Sequence, residues 1–128
     1  MKKEVKNWLD SAQYDLETAE HMFNSGRYIY TVFMCHLALE KAIKAKVEEV
    51  TDKTPPKIHD LEYLMSLAGL SPDKDIEKFI AEITNLSVIT RYPSDFQKIH
   101  KGLSKERAEL TLTKKKEAFQ WIMKYITL

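Results

Sequence analysis

Within ten residues, the segment from Arg91 through Tyr92, Asp95 and Lys98 to His100 gathers a guanidinium, a phenol, a carboxylate, an ammonium and an imidazole. The carboxylate aside, these are groups that handle phosphate, and the carboxylate can orient the guanidinium or accept from a base or ribose. Arginine's planar fork grips a phosphate through two hydrogen bonds, tyrosine stacks on a base or donates to a phosphate oxygen, and histidine exchanges protons near neutral pH. The same residues also have a structural use. An arginine at a helix C-terminus complements the helix dipole, and Tyr92 and Phe96 can plug the end of a bundle.

Other chemistry is sparse. The histidines at 21, 36, 59 and 100 form no pair at helical ligand spacing, and His36 with Glu40 one turn later is the sole metal-like combination. His36 is expected to pack inside an apolar helix, and neither a metal nor any other cofactor is expected. Cys35 sits among Phe33, Met34 and Leu37, so its thiol should be buried and protonated. Glycine-rich phosphate loops and a Gly-x-Ser-x-Gly elbow are both absent.

The 128 residues suffice for one domain spanning 1–128, and 44% hydrophobic with 30% charged residues fits a globular chain. Three glycines and four prolines leave few tight turns for sandwiches or barrels. The net charge of +1 predicts no global attraction to nucleic acid or lipid, but the charge is unevenly spread. Residues 98–128 hold eight Lys/Arg against three Glu, so a polyanion site should involve this last quarter, including Lys114-Lys115-Lys116. The longest uncharged run, Tyr28 to Leu39, is too short to cross a membrane. A single cysteine and no basic-then-apolar leader predict a cytoplasmic protein.

Hydrophobic periodicity predicts an all-α, antiparallel up-and-down bundle of four long helices plus one short helix. Val5, Trp8, Leu9, Ala12, Leu16, Ala19 and Phe23 mark the first helix over about 3–24, with Gly26 after its end. The second runs from Tyr28 to about Val50, ended by Thr54-Pro55-Pro56. Its first half is apolar all round, so it should be central or shared with a partner subunit, most simply in a two-fold homodimer. A short third helix covers about 60–68, and Ser71-Pro72 is expected to start the fourth, which ends near Thr90 or Arg91. A loop is expected over about 92–103, then a last helix capped by Ser104 with Ala108, Leu112, Phe119, Ile122 and Ile126 inside.

These residues resemble the HEPN family, named for higher-eukaryote and prokaryote nucleotide-binding domains. The similarity rests on Trp8-Leu9 and Asp15-Leu16 with Ala19, on Leu39-Glu40-Lys41-Ala42-Ile43-Lys44-Ala45, on His59-Asp60-Leu61, and on Arg91-Tyr92-Pro93 with Asp95. It covers nearly the whole chain.

The resemblance implies a small helical bundle, usually homodimeric, often paired with a minimal nucleotidyltransferase and associated with toxin–antitoxin or defence systems. Several branches of the family are metal-independent ribonucleases whose signature is an arginine followed a few residues later by a histidine. Here eight residues separate Arg91 from His100 and Pro93 intervenes, a wider spacing than that signature. In a ribonuclease, His100 would move the proton of a ribose 2′-hydroxyl or of the leaving oxygen, and Arg91 would stabilise the charged transition state. In a binding module, Arg91, Tyr92, Asp95, Lys98, His59 and Lys41 would line a groove for a nucleotide or another phosphate. A third possibility is a protein-assembly partner using the apolar Tyr28–Leu39 surface.

Overall fold

The computed structural model describes residues 2–89, 92 and 96–126. Among these, six helices follow in order and there is no strand: α1 (Lys3–Asn24), α2 (Tyr28–Thr51), α3 (Leu61–Leu67), α4 (Lys74–Ile89), α5 (Phe96–Gly102) and α6 (Lys105–Met123).

α1 and α2 form an antiparallel hairpin closed by a turn that only a residue free to take positive φ makes cheaply. Gly26 has φ 74°, its N–H donates to the Phe23 carbonyl, and the Arg27 N–H reaches back to the Met22 carbonyl at 2.8 Å. The stop therefore delivers Arg27 directly to the start of α2. At its other end α2 finishes ahead of the prolines, with Asp52 in the left-handed conformation at φ 57°. Lys2 Nζ donates there to the Glu48 carbonyl and to Asp52 Oδ1.

α2 packs against every other helix. On its apolar first half Ile29, Val32, Cys35, Ala38 and Leu39 are buried in the centre of the bundle, while Tyr30 is exposed and Met34 and Leu37 are partly covered. Around it one hydrophobic cluster takes Val5, Ala12 and Ala19 from α1, Leu61 and Leu64 from α3, Ile80 and Ile83 from α4, and Leu112 and Ile122 from α6. Each fully buried valine, leucine or isoleucine among these contributes roughly 1.5–3 kcal/mol.

Three local readings change. The cap of α4 is Asp73, whose Oδ1 accepts from the Ile76 N–H at 2.9 Å; the helix starts at Lys74, past the expected Ser71-Pro72. The loop expected over 92–103 contains the seven-residue α5, giving four long helices and two short ones among the described residues. Phe96 to Lys101 contains neither proline nor glycine, and Ile99 and Leu103 on one side of the turn pack on the core, which suffices for a short helix. Finally, Lys115, the middle of the three lysines expected to serve a polyanion site, is buried. It falls on the stripe of Ala108, Leu112, Ala118 and Ile122, where helical phase turns it inward. Ser104 caps α6 as expected, accepting from the Arg107 N–H at 3.2 Å.

No described helix is long and apolar enough to cross a membrane.

Candidate functional site at the end of the bundle

Sequence spacing presents α5 and its approach as the chemistry-bearing segment, and the structure places its described members outward. Tyr92, Phe96, Lys98 and His100 are all exposed. Arg91 and Asp95 lie outside the described residues. The His100 imidazole stacks on the Phe96 ring, one turn earlier, with centroids 5.5 Å apart and planes 20° from parallel. An aromatic neighbour limits the orientations the imidazole can take.

The α1–α2 turn closes this face from the other side. Arg27, Tyr28, Tyr30, Phe96 and His100 line a cavity of about 60 Å³, with no carboxylate among the described residues that line it. Arg27 is exposed, and no hydrogen-bonding or ion-pairing partner among the described residues holds its guanidinium. Sequence reading passes over it. The available signal is a cation in the position before a helix start, where a small oxygen-bearing side chain is the usual occupant.

His59 and Lys41 belong to a different place, the polar side of α2. His36, Glu40, Lys44 and Glu48 recur every fourth residue and are all buried. Glu40 is the hub: its Oε2 accepts from Lys44 Nζ at 3.1 Å, and its Oε1 lies 2.9 Å from His59 Nδ1 and 4.0 Å from His36 Nδ1. Lys44 stands 5.7 Å from the centroid of the Trp8 ring, and Trp8 Nε1 donates to Glu48 Oε1 at 3.2 Å. Lys41 is held by Ser11 Oγ at 2.7 Å and Asp15 Oδ2 at 2.8 Å, so its charge is neutralised across the α1–α2 hairpin. Among the described residues, no group of three or more His, Cys, Asp and Glu is placed to hold a metal ion. Around Glu40, the Lys44 ammonium already stands where a cation would.

The basic side chains of the last quarter are shared between α5 and α6. Lys98 and Lys101 are exposed on α5, Arg107 and Lys114 border a groove between α4 and α6, and Lys115 is inside. Cys35, on α2, is fully buried, and burial pushes its thiol up to about 12, so it stays protonated as expected.

Two solved structures share this fold. The crystal structure of TT1696 from Thermus thermophilus superposes with a TM-score of 0.80 at 20% identity, covering 98% of this chain and 100% of that one. The crystal structure of ST0689, an archaeal HEPN homologue, gives a TM-score of 0.74 at 19% identity, again over 98% of this chain and 100% of that one. At such identities the likeness is one of fold. No functionally curated protein matches the chain significantly. In sequence, however, a family model described as the HEPN domain matches residues 5–125, and the chain belongs to the HEPN domain family.

Proposed function

We propose that this chain is a nucleotide- or phosphate-binding helical module whose ligand docks at the α5 end of the bundle. The family includes both nucleotide-binding and ribonuclease-type members. The observation that favours this site is the exposed His100, stacked on Phe96 beside a cavity that no carboxylate of the described residues lines. The exposed Lys98 and Tyr92 add a further cation and a base-stacking ring to the same segment. Arg91 and Asp95 complete the proposed set through their adjacency in sequence. His59 presents an exposed ring on the Glu40 side and Lys41 is neutralised by Asp15, so neither leads this reading.

The second reading is a metal-independent endoribonuclease of toxin or defence type, with Arg91 and His100 as its catalytic pair. The exposure of His100 favours it, since a general acid–base residue must reach substrate. The module is further proposed to work as a cytoplasmic homodimer, with a minimal nucleotidyltransferase as partner. Met34 and Leu37, at helical spacing on α2, remain only partly covered, which suits a subunit contact.

Calorimetric titration with AMP and ATP, together with digestion of a single-stranded RNA in EDTA, tests these readings. Heat without cleavage is the expected result. Cleavage abolished by His100→Ala would establish the nuclease, and neither heat nor cleavage would leave a protein-assembly role. Light scattering at micromolar concentration is expected to give twice the chain mass.

A further inference from the structure

Arg27 is badly placed for stability. It occupies the N-cap of α2, where its side chain makes no capping hydrogen bond. A helix N-terminus carries a partial positive charge that favours an anion, and Ser, Thr, Asp or Asn would satisfy a free N–H as well. No carboxylate of the described residues pairs with the guanidinium to offset this. A residue that breaks a local rule without internal compensation is a candidate for function.

The cavity beside it constrains what that function is. At about 60 Å³ it is far smaller than the several hundred Å³ that enclose a drug-sized ligand, so a whole nucleoside cannot enter. A single phosphate group can. Its lining includes the arginine from the α1–α2 turn, the imidazole from α5, and the rings of Tyr30 and Phe96, both exposed. Arginine and phosphate match in a two-bond fork, and an exposed ring beside it can take the stacked base.

We propose that Arg27 and His100 together grip one phosphate group of the ligand, with Arg27 as a binding residue contributed by the α1–α2 turn. The inference rests on the binding function proposed above and adds to it a cation 64 residues before Arg91 in the chain. The phosphate can belong to a free nucleotide or to an RNA strand, and the experiment separates these sources.

The full-length chain would be titrated with AMP, with adenosine as the phosphate-free control, and with a fluorescein-labelled single-stranded oligouridine at several salt concentrations. The variants are Arg27→Ser, Arg27→Lys and Lys53→Ser, the last removing an exposed charge at the opposite end of α2. Arg27→Ser is expected to weaken phosphate-bearing probes about tenfold or more, with Arg27→Lys between it and wild type, because a point charge keeps attraction but loses the fork. For the oligouridine, the slope of log K against log salt should fall by about 0.7 on losing one phosphate contact. AMP binding identifies a free nucleotide as sufficient, and oligouridine binding alone identifies a strand. If wild type binds and Arg27→Ser binds equally, or no more weakly than Lys53→Ser, the role of Arg27 is overturned while the binding function stands. If wild type binds neither probe, both fall. Circular dichroism of each variant checks that it is folded.

Discussion

Glu40 Oε1, inside the bundle, lies 2.9 Å from Nδ1 of His59, whose ring is more than half exposed. The pair connects a buried charge to the surface and ties the loop after α2 to the helix itself. On the inner side the same carboxylate holds Lys44, which is also buried. Removing one partner of a buried ion pair leaves the other uncompensated and costs about 3–5 kcal/mol. Glu40→Ala should therefore lose about that much in urea denaturation. His59→Ala should lose only about 1 kcal/mol, since its end of the contact is shared with water. The double variant Glu40→Leu with Lys44→Met should recover most of the loss. A Glu40→Ala protein as stable as wild type would show that the network does not hold the fold.

Lys115 supplies a pH-dependent counterpart. Burial pushes its ammonium below the usual lysine range; Cys35 and Glu20 pull it back up, and Lys116 pushes it further down. Its nearest carboxylate oxygen, on Glu20, is 3.9 Å away. Because the folded protein binds that proton less tightly than the unfolded chain does, the whole cost of burying the charge is present at neutral pH. The cost shrinks as pH rises from the depressed folded value towards 10.5. Lys115→Met should therefore be more stable than wild type by about 1–2 kcal/mol at pH 7, and the advantage should narrow as pH rises towards 10.5. Urea titrations of both proteins from pH 6 to pH 10 check this, and a constant or widening gap would contradict it.

Cys35 titrates in the opposite sense. Burial, the leading cause, raises its thiol from 9.0 to about 12, with Lys115 lowering it and Glu20 raising it by smaller amounts. The folded state keeps a proton that the unfolded chain releases, so stability falls as pH climbs from 9 towards 12. Cys35→Ala should not show that component of alkaline loss. Iodoacetamide at pH 8 should leave the native thiol unlabelled and label it fully in denaturant, as read by mass spectrometry. Rapid labelling of the native protein would show that the thiol is reachable.

How far these features are legible from sequence depends on the distance over which each is determined. The spans of α1, α2, α3 and α6, and the existence of α4 though not its start, follow from local periodicity and from Gly26 and Gly69, both at positive φ in the structure. α5 escapes that reading because seven residues with only Ile99 leaning inward show too little period to separate a helix from a loop. The inward turn of Lys115 is readable from its phase with Ala108 and Leu112, but a run of three lysines reads first as a solvated face. The contact between Glu40 and His59 spans 19 residues and a double proline, so no local pattern contains it. At the proposed site, Tyr92, Lys98 and His100 are legible as a chemical cluster in one segment. Arg27 is not, because it reaches the cavity only through the packing of the α1–α2 turn beside α5.

That position of Arg27 separates stability from binding in a single substitution. Arg27→Ser puts a hydroxyl where it can accept from a free N–H in the first turn of α2, and it removes a cation from the positive end of the helix dipole. Caps of this kind are worth about 0.5–2 kcal/mol, and the relief of the dipole adds about 0.3–1 kcal/mol at an exposed site. The variant should therefore melt a few degrees above wild type while binding phosphate-bearing probes more weakly, the exchange expected where a functional residue is kept against stability. A purely structural arginine predicts the reverse, a lower melting temperature with unaltered binding. Differential scanning calorimetry on the same samples used for titration distinguishes the two, because the structural and ligand-binding roles move melting temperature in opposite directions.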